Sequence, residues 1–156
     1  MPDLGGEKTT VTVLFSDIRN FTTLSEKLDA HEVVEFLNQY FERICTIILE
    51  QGGTIDKYIG DAVMVQFGAP VPYPDHAARA LRASLAMRDA AAEFTSWMSE
   101  RFAERNLPAF NIGIGMHTGE AIVGNVGSSL RMEYTVIGDT VNLASRLESA
   151  SKTLGC

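Results

Sequence analysis

The sequence predicts an α+β domain, a mainly antiparallel sheet with helices packed on one face, following the βαββαβ order of ferredoxin-like folds. Three observations predict it. Short apolar, β-branched runs recur at 11–15, 54–59, 62–67, 110–116 and 121–126, a length suited to strands. Two longer stretches, 30–51 and 75 to about 106, carry helical patterns instead. Gly60-Asp61 splits the second and third runs, a hairpin signal that makes those strands antiparallel neighbours.

Taken in order, the run 11–15 reads as a buried strand ending in Ser16-Asp17. Thr22 or Thr23 then opens a polar helical turn, with Glu26 three residues after Thr23 as in a capping box. The helix 30–51 places Val33, Val34, Leu37, Tyr40, Phe41, Ile44, Ile47 and Ile48 at helical spacing, and Gly52-Gly53 stops it. After the hairpin, Pro70, Pro72 and Pro74 mark a loop. The Ala- and Arg-rich helix follows. Strands 110–116 and 121–126 are expected to join through His117-Thr118-Gly119-Glu120, with a flexible excursion at Gly124, Gly127 and Ser128-Ser129. Residues 132–137 read as a further strand, and 139–151 as a helix with Asp139 as its N-cap.

Composition narrows the function. The 156 residues suit one domain, and 46% hydrophobic with 21% charged residues is ordinary globular usage. A formal charge of −7 argues against nucleic acid or an anionic membrane surface as the main partner. Cys45 and Cys156 read as reduced thiols, and His31, His76 and His117 lack zinc-ligand spacing. The first residues show no signal-peptide pattern, and no stretch approaches the roughly 18 apolar residues of a membrane span. The expectation is a cytoplasmic chain without direct membrane contact.

Four segments can carry chemistry. Asp17 ends an apolar strand and Asp61 sits in the hairpin turn, so the two could hold a pair of Mg²⁺ ions or serve as a strand-end cap and a turn residue. Arg19-Asn20-Phe21-Thr22-Thr23 leads from Asp17 into a helix start, where exposed N–H groups favour phosphate. Strand alternation puts Lys57 on the face opposite Asp56 and Tyr58. Asn142 and Arg146 share a helix face, able to hold phosphate and ribose oxygens or to make surface hydrogen bonds.

The segments Phe15-Ser16-Asp17-Ile18-Arg19-Asn20-Phe21-Thr22, Asp56-Lys57-Tyr58-Ile59-Gly60-Asp61 and Tyr134-Thr135-Val136-Ile137-Gly138-Asp139-Thr140-Val141-Asn142-Leu143-Ala144-Ser145-Arg146-Leu147-Glu148 together resemble the class III nucleotidyl cyclase catalytic domain, in its order and spacing. The resemblance implies a lyase that cyclises a nucleoside triphosphate using two Mg²⁺ or Mn²⁺ ions. It implies that Asp17, Asp61 and the Ile18 carbonyl bind the metals, and that Asn20, Phe21 and Thr22 lie by the β- and γ-phosphates. It implies that Asn142 orients the ribose, that Arg146 stabilises charge at the α-phosphate, and that Lys57 and Thr135 read the base. Lys57 is donor-only and pairs with adenine N1, which favours ATP; Thr135 can accept from adenine N6 or donate to guanine O6. The Lys–Thr pair also resembles a subgroup often stimulated by bicarbonate. Because the family's sites are shared between two domains, and this chain carries both residue sets, the resemblance implies a homodimer, with any regulatory domains lying outside the chain. His117 and Arg131 are read as structural. The family usually has glycine at the position of Asn20, and its domain continues past the last residues here through strands bearing a phosphate-binding lysine, to which Lys152 does not correspond. The chain is therefore read as a single cyclase domain over residues 1–156 without those strands. Two other readings stay open, a noncatalytic nucleotide-binding or dimerisation module and a guanylyl cyclase.

Overall fold

A computed structural model describes residues 6–154. The expectations for Cys156 and for the first five residues fall outside it. The elements are β1 (Glu7–Ile18), α1 (Phe21–Glu26), α2 (Ala30–Glu50), β2 (Thr54–Ile59), β3 (Ala62–Phe67), α3 (His76–Arg101), β4 (Ile112–Ser128), β5 (Arg131–Ile137) and α4 (Asp139–Leu154), with one 3₁₀ turn at Ala103–Arg105. The strands form one sheet in the order β2-β3-β1-β4-β5, and every neighbouring pair is antiparallel. Its first four strands with α2 and α3 give the expected ferredoxin-like core.

The central strand β1 buries Val11, Thr12, Val13 and Leu14 in succession, so both of its faces are covered. On one face Leu14 and Ile18 pack with Phe36, Tyr40, Ile44 and Ile48 of α2 and with Met87, Phe94 and Met98 of α3. The four α2 residues recur every fourth position, the spacing of one helix face. Phe36, Tyr40 and Phe94 gather around Phe110 with ring centroids 5.7, 5.0 and 4.8 Å from it, in edge-on contacts favoured by aromatic quadrupoles. On the other face Val11, Val13, Met64, Val123 and Val136 pack with Ala144 of α4. The expectation of helices on one face only is therefore corrected: α4 covers the second.

Other expectations change for reasons of tertiary structure. The capping box sits at the start of α2, where the Asp29 side chain accepts from the Glu32 N–H and Glu32 returns the bond to the Asp29 N–H. Thr23 and Glu26 make no such box, and α1 starts instead after Asn20. Val34 is exposed rather than in the α2 core stripe. The helix α3 ends at Arg101, short of the expected residue 106.

The two strands expected at 110–116 and 121–126 are one strand, β4. Thr118 and Gly119 do not turn; they pair with Thr12 and Val11. Gly119 is needed for close approach, because a Cβ there would lie 2.6 Å from the Thr140 Oγ1. The expected excursion at Gly124 and Gly127 is paired strand against Thr135 and Met132 of β5. The Gly138 carbonyl accepts from the N–H groups of Val141 and Asn142, so Asp139 is a first-turn residue of α4 and not its N-cap.

Cys45 is a free thiol beside the Tyr58 hydroxyl, and His76 Nδ1 lies 2.7 Å from the Thr12 hydroxyl. Among the described residues, no helix is long and apolar enough to cross a membrane.

Candidate active site

The C-terminal end of β1 meets the β2–β3 turn because β1 and β3 pair antiparallel, with Ser16 opposite Val63. Gly60 takes a φ of 61° in that turn, a left-handed conformation that glycine adopts without Cβ strain. The turn brings Asp61 back to β1, where its Oδ2 accepts the Ile18 backbone N–H at 3.1 Å. Asp17 and Asp61 thus flank Ile18 at one end of the sheet.

This donor set suits hard divalent cations: two carboxylates with a backbone carbonyl between them. Among the described residues, no group of three or more His, Cys, Asp or Glu side chains is disposed to hold a metal, so a bound ion would draw its other ligands from water or phosphate oxygens. The Asp17 carboxylate already faces positive charge. Lys152 Nζ of α4 is 3.0 Å from Oδ2, and Arg19 Nη1 is 3.3 Å from Oδ1.

Arg19 ties this corner to α4. Its guanidinium contacts Glu148 Oε1 at 3.0 Å and hydrogen-bonds the Ser151 hydroxyl. Gly113, opposite Asp17 in β4, leaves the room the guanidinium occupies. The motifs do not point to Glu148 or Lys152 at this site. The signal for Glu148 was a carboxylate on the inward stripe of α4, four residues after Ala144. Burial pushes the Glu148 carboxyl up to about 7, and the neighbouring Asp17 adds to the shift, against the opposing pull of Arg19 and Lys152.

A pH dependence follows. The folded chain holds the Glu148 proton to about pH 7, whereas an unfolded chain releases it near the ordinary 4.5. Between those values the folded state binds more protons, so this group lowers stability as pH rises. Glu148→Gln should flatten that part of the metal-free stability profile, measured by thermal melts from pH 4.5 to 7.5.

Asn20 lies directly beyond β1 with φ 56° and ψ 32°. The left-handed backbone explains why a glycine also suits this position, and asparagine is among the residues that tolerate it. Phe21 and Thr22 follow as the first residues of α1, where N–H groups begin without intrahelical partners.

A second group forms between the sheet edges. A β-bulge between Ile55 and Lys57 interrupts the alternation expected in β2, since Ile55 pairs with Val65 and Lys57 with Met64. Lys57 therefore does not stand apart from Asp56; its Nζ is 3.5 Å from Asp56 Oδ1. Although β2 and β5 are the two edge strands, the Thr135 hydroxyl donates to Asp56 Oδ2 at 2.7 Å. Lys57 and Thr135 thus meet through Asp56, whose side chain is 1% exposed.

Asn142 and Arg146 are not gathered with Asp17 and Asp61. Thr140, Ala144 and Glu148 form the buried side of α4, which puts Asn142 and Arg146 on the opposite, exposed side. Half-exposed Leu143 and Leu147 lie beside them, and Ile122, Val126, Tyr134 and Ile137 of β4 and β5 are exposed as well.

The family model described as the adenylate and guanylate cyclase catalytic domain matches residues 6–155. This chain belongs to that family. Among curated relatives of the cyclase domain, the adenylate cyclase of Anabaena cylindrica is 41% identical over 94% of the chain, and adenylate cyclase 1 of Rhizobium meliloti is 42% identical over 93%. The chain spans only 28% and 21% of those two proteins. Among solved structures, the adenylyl cyclase CyaB from P. aeruginosa superposes with a TM-score of 0.85 at 42% identity, covering 94% of this chain and 74% of that one. A crystal structure of a guanylyl cyclase gives a TM-score of 0.87 at 41% identity, covering 94% of this chain and 73% of that one. Relatives of this cyclase domain therefore carry both substrate names at nearly equal similarity.

Proposed function

We propose that the chain is the catalytic unit of an adenylyl cyclase, converting ATP to 3′,5′-cyclic AMP and pyrophosphate at two composite sites of a homodimer, in the cytoplasm. The observation that carries this reading is the division of the residues within one chain. Asp17 and Asp61 lie on either side of Ile18 at one end of the sheet, while Asn142 and Arg146 face outward from the exposed side of α4. A second copy, applied through the exposed apolar side chains beside them, would supply the missing half of each site.

In this reading Asp17, Asp61 and the Ile18 carbonyl hold two Mg²⁺ or Mn²⁺ ions. Such ions, when bound, lower the pKa of the 3′-hydroxyl and offset the triphosphate charge. Asn20, Phe21 and Thr22 contact the β- and γ-phosphates. From the other copy, Asn142 orients the ribose and Arg146 holds the negative charge that grows at the α-phosphate as the 3′-oxygen attacks and pyrophosphate leaves. Lys57 donates to adenine N1, an acceptor in adenine and a protonated donor in guanine.

The test is incubation with ATP or GTP and Mn²⁺, followed by chromatography of the products. Cyclic AMP is expected. Cyclic GMP instead would assign the guanylyl activity, and intact triphosphate with measurable binding would assign a nucleotide-binding module. Lys57→Glu should lower kcat/KM for ATP by about 10–100-fold, the worth of one hydrogen bond from a charged donor. Unchanged ATP kinetics would remove Lys57 from base recognition.

A further inference from the structure

We propose that Asp56 sets the base preference of the site by fixing which way the Thr135 hydroxyl points. The inference rests on the reading of Lys57 and Thr135 as the base contacts and deepens it.

A threonine hydroxyl has one proton and can accept as well as donate, so taken alone it accommodates either purine. At the 6-position adenine presents an amino group, a donor, and guanine or hypoxanthine presents a carbonyl, an acceptor. In this chain the hydroxyl proton is already committed: Thr135 Oγ1 donates to Asp56 Oδ2 at 2.7 Å. A carboxylate only accepts, so it cannot exchange roles with the hydroxyl. What Thr135 offers a base is then a lone pair. That lone pair accepts from an adenine N6–H and meets a 6-carbonyl oxygen acceptor to acceptor.

Three features hold the arrangement. The Asp56 side chain is 1% exposed, so water does not compete freely for the carboxylate. Thr135 is also buried, at 7% exposure. The β-bulge between Ile55 and Lys57 removes Asp56 from the ladder register and re-aims it. The same carboxylate faces Lys57 Nζ across 3.5 Å, which places the donor for N1 and the acceptor for N6 on one buried group. Asp56 touches no substrate atom in this account. It is a positioning residue for base choice.

The experiment measures kcat/KM for ATP and ITP, and displacement of a fluorescent ATP analogue by each, in the full chain with Mn²⁺. Asp56→Asn is the first variant, because an amide can turn its NH₂ toward Thr135 and free the hydroxyl to donate. It should narrow the preference for ATP over ITP by about tenfold, the worth of one hydrogen bond. In a Thr135→Val background the same substitution should shift the ratio less than about twofold, since the hydroxyl it acts through is gone. A ratio unmoved by Asp56→Asn in a protein that still makes cyclic AMP would overturn the inference and leave the cyclase reading standing. A shift that persists without the Thr135 hydroxyl would assign the effect to Lys57 and overturn it too. Should Asp56→Asn fail to fold, the unaltered protein can still overturn the inference: purine riboside triphosphate, which lacks only the 6-amino group of ATP, should be used about tenfold less well, and equal use would rule out a Thr135 lone pair on N6. If the unaltered protein turns over no triphosphate and binds none, the cyclase reading falls and this inference with it.

Discussion

Arg146→Ala should lower kcat by about 10²–10³-fold and leave KM for ATP within a few-fold of the unaltered value. In the proposed reaction negative charge builds at the α-phosphate only as the 3′-oxygen approaches and pyrophosphate departs. A guanidinium aimed at that charge interacts more strongly with the transition state than with bound ATP, so its loss falls on kcat. Arg146 is exposed on α4 and lies opposite the buried stripe of Thr140, Ala144 and Glu148, so removing it leaves the α4–sheet contact intact. The melting temperature should therefore stay within a degree or two, a rough expectation for an exposed substitution. A large rise in KM with unchanged kcat would instead make Arg146 a ground-state phosphate contact.

Gly115→Ala should destabilise the packing of α4 on the sheet. A Cβ at Gly115 would fall on the backbone of α4, 2.6 Å from the Glu148 Cα and 2.7 Å from the Ala144 carbonyl oxygen. Backbone cannot rotate aside as a flexible side chain does, so α4 must shift outward. Overpacking of this kind costs about 1–3 kcal/mol, and each kcal/mol lowers the melting temperature of a domain this size by roughly 2–4 °C. The displacement also draws Glu148 and Ser151 away from Arg19 and moves the helix that bears Asn142 and Arg146. Activity should fall further than stability predicts, even at temperatures where circular dichroism shows the variant fully folded. A variant that melts like the unaltered protein would show that α4 does not rest on the sheet at Gly115.

Local patterns in the sequence were enough where local physics decides. The α2 stripe of Tyr40, Ile44 and Ile48, its stop at Gly52 and the turn at Gly60-Asp61 depend on helical spacing and positive φ, and all are found in the structure. The errors came where distant parts of the chain decide. Thr118-Gly119 looks like a turn, yet Gly119 is small because Thr140 packs against it. Asp139 looks like a cap, but the Gly138 carbonyl already accepts the first helical bonds.

The candidate site divides in the same way. Asp17, Asp61, Lys57, Thr135, Asn142 and Arg146 were each proposed from their motifs. The partners that orient them were not. Asp56 meets Thr135 from a bulge on the opposite edge strand, and Glu148 and Lys152 reach the Asp17 corner only because α4 docks there. No spacing rule connects residues 79 or 129 positions apart.

In the proposed dimer each site takes its metal carboxylates from one chain and its asparagine and arginine from another. Asp17→Ala and Asn142→Ala proteins, each inactive alone, should be mixed at equal concentration, allowed to exchange subunits, and assayed for cyclic AMP. With random pairing half the dimers are mixed and each carries one intact site, so activity should return to about one quarter of the unaltered level. Mixed dimers, verified by differently tagged chains, that remain as inactive as either parent would contradict the shared site.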